Sequence, residues 1–392
     1  MTHAIDTAER RRRLLVRHRL GPGAGATTVA EAASAMVGLH GSDPATVFLA
    51  ARARIPGITI PGIERALYET REVLRILGMR RTLFVVPQDV APIIRAACAE
   101  PIAHQERRRL LGMLESADPR RDAAAWLARV EADVEAALDR RGAATAPELT
   151  KDVPALGEQF SFGEGKRWAG SVGLSTRLLF LMAAEWRIVR GRPRGSWISG
   201  QYRWAHLSTW VPDLPPMPPP AEARRELVSR WLAAFGPGTE RDLAWWSGLT
   251  LGQIRAAIAA LDAVTVRLDE GEGIALATDL EPTPASAPTA VLLPGLDPTP
   301  MGWKIRDWFL GPHGKALFDT NGNIGPTVWW DGRIMGGWGQ RPDGSVVVRL
   351  LEDGGREATA AVDAAADALT TWLDGTRISP RFPTPVQKVL AG

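Results

Sequence analysis

Apolar positions recur with a helical period over much of the chain, most cleanly in residues 221–277. Leu227, Trp231, Leu232 and Phe235 fall on one face of a helix predicted for 221–235. Gly236-Pro237-Gly238 stops it, and Thr239, with Asp242 three residues on, caps a second helix that ends at Gly248. Thr250 caps a third over 251–261. The pattern then turns strand-like at 264–268 and 274–277, around a Gly-containing turn at 269–273. Three helices followed by a hairpin predict a winged helix, the helix-turn-helix variant with a β wing.

The same order recurs twice, as a repeat of elements rather than of residues. The first copy has helices at 9–19, 28–39 and 43–54 and a hairpin from 73–77 and 81–86. The second has helices at 122–140, 146–151 and 171–185, then strands at 188–190 and 196–199. Beyond residue 290 the pattern becomes short strands at 291–294, 316–319, 327–330, 333–338 and 345–350, with a closing helix at 357–373. Asp331-Gly332 and Asp343-Gly344 are hairpin signals. Proline-rich linkers occupy 212–220 and 281–288. The expected fold class is therefore α+β. Three tandem winged helices (1–100, 101–211 and 221–280) precede a small β-barrel-like domain at 289–392. Six of the 15 Trp lie beyond residue 300, as expected core and rim of that unit.

Composition narrows the function. With 392 residues, 45% apolar and 23% charged, the chain is neither disordered, collagenous nor a coiled coil. Its longest apolar run is seven residues, 178–184, against about 20 for a membrane span. The N-terminus lacks a signal-peptide core, and the single Cys98 excludes an internal disulfide and a multi-cysteine zinc site, so a cytoplasmic protein is expected. Net charge is only +3, but just five of the 47 cationic residues are Lys. Arg suits phosphate and base edges; a GC-rich genome gives the same bias.

Several motifs fail. Gly163 to Arg167 imitates a P-loop but lacks the earlier Gly and the Ser/Thr. Asp319 to Asn323 begins like an EF-hand, yet Ile324 and Trp330 occupy positions six and twelve, so a tight turn is expected. The six His show no i, i+4 pair, and no Gly-x-Ser-x-Gly is present. No metal or cofactor is expected. The basic features fit nucleic acid better. Arg10, Arg11, Arg12 and Arg13 form a run on the first helix; Arg80 and Arg81 sit at the first hairpin; Arg192 and Arg194 sit at the second, followed by Trp197, Tyr202 and Arg203. Such residues hold phosphates and stack on bases. The structural alternatives are a solvated helix face for the run and a Trp-anchored loop between domains for 197–210. The candidate site is Gly38 to Pro44: Asp43-Pro44 is a helix start, and His40, Ser42 and Asp43 within four residues can position a water.

Gly38 to Pro44 with Arg52-Ala53-Arg54, Gly78 to Leu83, Leu293 to Pro298, Met301 to Asp307, Asp331 to Arg333 and Pro380 to Phe382 together carry a family likeness. The chain resembles the AlkZ/YcaQ-like winged-helix DNA glycosylases over nearly its whole length. The resemblance implies three winged helices plus a β-barrel, and a monofunctional glycosylase that excises N7-alkylated purines from double-stranded DNA in repair or self-resistance. It also implies a monomer, and adds Arg52 and Arg54 to the expected DNA contacts. The family's catalytic Gln-x-Gln (or Gln-x-Asp) before an Asp-Pro aligns with His40 and Ser42, so this chain carries His-x-Ser instead. Its usual Thr-Leu-His reads Thr82-Leu83-Phe84 here. Because an N7-alkylated purine is already cationic, it leaves without a general acid, and the site needs only to orient water and stabilise the sugar. His40, at an imidazole pKa of about 6.5, is expected to accept the water's proton. Ser42 is expected to hold the water or a phosphate, and Asp43 to stabilise an oxocarbenium-like sugar. The rival expectation is a DNA-binding protein without catalysis, a lesion sensor or a transcription regulator.

Overall fold

The computed structural model describes residues 3–162, 170–380 and 383–391. The P-loop imitation at 163–167 therefore lies outside the described residues, as do Arg381 and Phe382 of the family likeness. Three units each consist of helices followed by a three-stranded sheet.

The third unit follows its sequence most closely. Its helices are Pro220–Phe235, Glu240–Ser247 and Leu251–Ala259, and its hairpin is Ala263–Leu268 with Gly271–Leu276. Thr239 with Asp242, and Thr250 with Gln253, form reciprocal capping boxes, so each helix start is fixed within its own turn. Gly248 ends the second helix at φ 78°, a left-handed conformation that favours glycine.

The first unit departs where a long-range pairing overrides local propensity. The helix expected over 28–39 stops at Ser34. Val37 turns the chain at φ 60°, and Leu39–His40 joins the sheet with Leu39 opposite Val85 and His40 opposite Phe84. The hairpin itself is Val73–Leu77 with Leu83–Pro87. Helices Thr7–Arg17 and Pro44–Arg54 form as expected.

In the second unit, Ala123–Arg141, Ala146–Asp152 and Leu174–Ala184 precede strands Ile188–Pro193 and Tyr202–His206. The expected strand at 196–199 is a turn closed by Ser199 N–H to the Ser196 carbonyl, 2.9 Å. Sequence reading missed the 18-residue helix Glu100–Ala117 that opens this unit and places Leu110 and Leu114 in its core. Each sheet gains a short third strand from upstream: Leu39–His40, Ala144–Thr145 and, in parallel on the third unit, His3–Ala4.

The C-terminal unit is an open antiparallel sheet, which corrects the barrel expectation. Its strands run in chain order, Ala290–Leu293, Thr327–Trp330, Arg333–Gln340 and Val346–Leu350, and the two outer strands do not pair. Closure is unnecessary because helix Gly355–Leu373 packs across the sheet and Pro385–Ala391 packs on Arg333–Gln340. Of residues 316–319, expected as a strand, the first two end a helical turn, Gly314–Leu317, and Phe318 makes an isolated bridge with Ile324; the Asp319 carboxylate then accepts the N–H groups of Asn321 and Asn323.

One apolar core runs through the first and third units and the C-terminal sheet and takes in Val189, Trp197, Leu207 and Val211 of the second unit, whose helices have a further core of their own. The shared core is rich in aromatic contacts: Trp303 lies edge-on to Phe235 at 5.2 Å and to Trp308 at 5.1 Å, and its indole N–H donates to the Phe235 carbonyl, 3.0 Å. No helix is long and apolar enough to cross a membrane among the described residues.

Candidate active site

The loop at 40–43 leaves the sheet edge and enters helix Pro44–Arg54. Gly41 donates its N–H to the Leu83 carbonyl at 2.7 Å. A Cβ there would lie 3.2 Å from that carbonyl group, so glycine permits the close approach. Asp43 caps the helix: its Oδ1 accepts from Ala45 N at 2.8 Å and Thr46 N at 3.4 Å. The cap consumes one carboxylate oxygen, and Oδ2 accepts no hydrogen bond among the described residues. Ser42 is exposed.

His40 differs from the sequence expectation. It is a strand residue packed edge-on to Phe84 at 5.9 Å, not a turn residue. Burial, reinforced by the charges of Arg75 and Arg80, lowers its pKa to about 4. The imidazole is therefore neutral at physiological pH but a weaker base than an ordinary His. Its Nδ1 is buried and unpartnered. The residue lines a cavity of about 40 Å³ shared with Arg80, Thr82, Trp246, Pro298 and Met301, enough for a water. A larger cavity of about 560 Å³ opens on the other side of the loop, lined by Asp43, Thr46, Gly295, Trp338, Gln340 and Gln387.

A buried polar network fixes this loop against the C-terminal unit. Arg54 donates to both oxygens of Asp297, at 2.8 and 2.7 Å, and to Thr299 Oγ1 at 2.8 Å; Arg54 and Asp297 are fully buried. His18 joins through Thr299 Oγ1 at 3.0 Å and the Ala234 carbonyl at 3.1 Å, and burial pushes its pKa well below the usual value. Thr46 Oγ1 donates to the Gly295 carbonyl, 2.8 Å. Thus the 293–303 segment supplies both the anchor of the helix and the Pro298 and Met301 walls beside His40.

The placement of the arginines corrects most of the expected DNA contacts. Arg10, Arg13 and Arg54 are buried. Arg10 pairs with Glu270 and stacks over Trp308 at 4.1 Å. Arg11 donates to the Trp308 carbonyl, and Arg12 to Glu9. Arg13 binds Glu9 at 2.7 Å and the carbonyls of Asp279 and Glu281. Arg10, Arg11 and Arg13 staple the first helix to later parts of the chain, while Arg12 is held on its own helix. Trp197 is buried against Phe48 at 4.9 Å and Trp372 at 5.9 Å, and so unavailable to bases. Arg192 is held by Glu64 and Glu69, and Arg81 by both oxygens of Glu106.

Other members of the set stay nearer solvent. Arg80 and Arg81 both take left-handed backbone, φ 53° and 63°, at the hairpin turn, a strained arrangement for a side-chain-bearing residue. Arg80 is exposed, stacks over Trp245 at 4.3 Å, and lies beside His40. Arg194 is exposed; Arg203, also exposed, donates to the Ala143 carbonyl, 3.2 Å. Arg52 is half-buried, apart from the loop. Tyr202 lies near Asp43, whose charge adds to burial in raising the phenol's pKa. Sequence reading missed Arg75, whose guanidinium donates to the Gly41 carbonyl, and Arg306, which shares the Trp245 ring with Arg80 at 4.9 Å. Arg75 belongs to no run or motif, and Arg306 lies in the 301–307 stretch of the family likeness without standing out there, so their contacts identify them.

The family model for DNA glycosylase AlkZ-like proteins matches residues 33–372. The chain belongs to this family of DNA repair glycosylases, whose substrate is DNA. Among solved structures it is similar to Streptomyces sahachiroi DNA glycosylase AlkZ, at 20% identity and a TM-score of 0.72, covering 97% of this chain and 100% of that one. At that identity the likeness concerns the fold. No curated protein matches the sequence.

Proposed function

We propose that the chain is a monofunctional glycosylase that hydrolyses the N-glycosidic bond of N7-alkylated purines in double-stranded DNA. Its three helix-and-hairpin units act as winged helices, divided from each other and from the C-terminal sheet near residues 101, 221 and 289. It acts in the cytoplasm as a monomer, without metal or cofactor. The observation that carries this reading is the 40–43 loop: a neutral imidazole with an unpartnered buried Nδ1 beside a water-sized cavity, three residues from a carboxylate with a free oxygen.

The chemistry asks little of a general acid, because the alkylated base is cationic while still joined to the sugar and leaves as a neutral purine once it takes the glycosidic electron pair, passing the positive charge to the sugar. His40 orients the attacking water by hydrogen bonding. Its low pKa makes it a positioning acceptor rather than a strong base, so proton transfer follows development of sugar cation character. Asp43 stabilises that cation through Oδ2. Ser42, exposed beside it, contacts the water or a phosphate. The cavity of about 560 Å³ adjoining Asp43 has a volume usual for small-molecule sites and accommodates a purine with a bulky N7 substituent. Arg80 and Arg194 contact backbone phosphates.

The second reading, a DNA-binding protein without catalysis, is favoured by the same low His40 pKa, since a weak base replaces the first Gln of the family motif. Single-turnover excision from a duplex with one N7-methylguanine, read as alkali-sensitive strand cleavage, separates them. Release by the wild type and loss in His40→Ala is the expected result. Tight duplex binding without release from this or a bulkier N7 lesion would favour the second reading.

A further inference from the structure

Four arginines are buried: Arg10, Arg13, Arg54 and Arg75. The first three each reach a carboxylate, on Glu270, Glu9 and Asp297. Arg75 reaches none among the described residues. It donates from Nη1 to the Gly41 carbonyl, while its buried Nη2 has no partner. Its guanidinium lies 4.8 Å over the ring of Tyr202, whose buried hydroxyl is likewise unpartnered.

A second cation faces the same place. Arg190 stacks at 4.6 Å over Trp204 and makes no ion pair among the described residues. A register shift between Arg190 and Pro193 bends its strand there. Burial, with Arg75's charge adding to it, lowers Arg190 to about 10. Removing two like charges from water without a counter-charge is costly, and aromatic faces offset only part of that cost. The other three are neutralised by carboxylates; here two cations and the phenols of Tyr68 and Tyr202 converge beneath the loop without an ion pair among the described residues, and the carboxylate felt by Tyr202 is that of the helix cap Asp43.

We propose that Arg75, Arg190 and Tyr202 form a binding site for a phosphate oxyanion, filled in the working complex by the DNA backbone phosphate next to the damaged nucleotide. The identity of that phosphate rests on the glycosylase reading; the anion site itself does not. Arg75 holds the Gly41 carbonyl with one nitrogen and the phosphate with the other, so seating the backbone fixes the loop that carries Ser42 and Asp43.

Two measurements on the full chain test this. The first titrates inorganic phosphate at constant ionic strength, with chloride as control, and follows the thermal midpoint. The wild type should be raised, Arg190→Gln and Tyr202→Phe raised less, and Arg190→Lys should recover part of the response. The second uses N7-methylguanine duplexes carrying one neutral methylphosphonate at successive positions around the lesion. One position should weaken wild-type binding roughly tenfold, the scale of a charge-assisted hydrogen bond, and should leave Arg190→Gln unaffected. A midpoint indifferent to phosphate, with all methylphosphonate duplexes bound alike, overturns the site. A phosphate response without any sensitive position overturns the DNA backbone as its occupant. If the wild type neither binds nor cleaves the duplex, the glycosylase reading fails and the phosphate titration still decides the site.

Discussion

At the scale of single residues, His40 makes the sharpest prediction. Its pKa in the folded protein, about 4, lies below the unfolded value of about 6.5. The unfolded chain therefore binds the proton first as pH falls. Folding stability is full above about pH 6.5 and declines towards pH 4, by up to about 3 kcal/mol from this group. His18, fully buried and shifted the same way, adds to the decline. Urea unfolding should show a pH slope that His40→Asn reduces. Excision by the wild type should show no inflection near pH 6.5; an inflection there would mean that His40 titrates as an ordinary imidazole. Arg54 gives a second test. Replacing Asp297 by Asn leaves a fully buried guanidinium without its counter-charge and should cost about 3–5 kcal/mol in urea unfolding. Asp297→Asn with Arg54→Met should recover much of it.

At the scale of elements, the basic run and the hairpin turns separate. Arg12 is tied to Glu9 on its own helix, so Arg12→Ala should leave the salt dependence of duplex binding unchanged. Arg194 is exposed at the tip of the second hairpin. If it contacts a phosphate, Arg194→Ala should reduce the log–log salt slope by about 0.9; an unchanged slope removes that hairpin from the interface. The third unit was legible because its signals are local: Thr239, Gly248 and Thr250 act within one helical turn of themselves. The first unit was less so. Nothing within 28–39 announces that Leu39–His40 pairs with Leu83–Pro87 more than forty residues on, yet that pairing ends the helix and places His40.

At the scale of the whole molecule, the second unit stands apart. Its helices have a core of their own, built on Leu127, Val134, Leu149, Leu178 and Met182, while Val189, Trp197, Leu207 and Val211 of its hairpin region join the core shared by the other units. A fragment of residues 101–211 should unfold cooperatively in circular dichroism. A fragment ending at residue 280 should not, because it lacks Asp297 for Arg54, Thr299 for His18 and the Trp303 cluster around Phe235. Cooperative unfolding of that shorter chain would show the C-terminal sheet to be an accessory.

By itself the sequence determined the elements whose causes are near neighbours: capped helices, hairpins at Asp-Gly and Gly turns, proline linkers and the family likeness carried by short motifs. Tertiary structure decided the environment of each charge. Arg10 and Arg13 meet Glu270 and the Asp279 and Glu281 carbonyls across some 260 residues of chain, whereas Arg75 meets no carboxylate. One-dimensional spacing cannot distinguish a paired cation from an unpaired one. Solvation and Coulomb energy depend on which groups the fold brings within a few ångströms, and those same distances make His40 a neutral, weak base in a loop whose sequence shows only an ordinary imidazole.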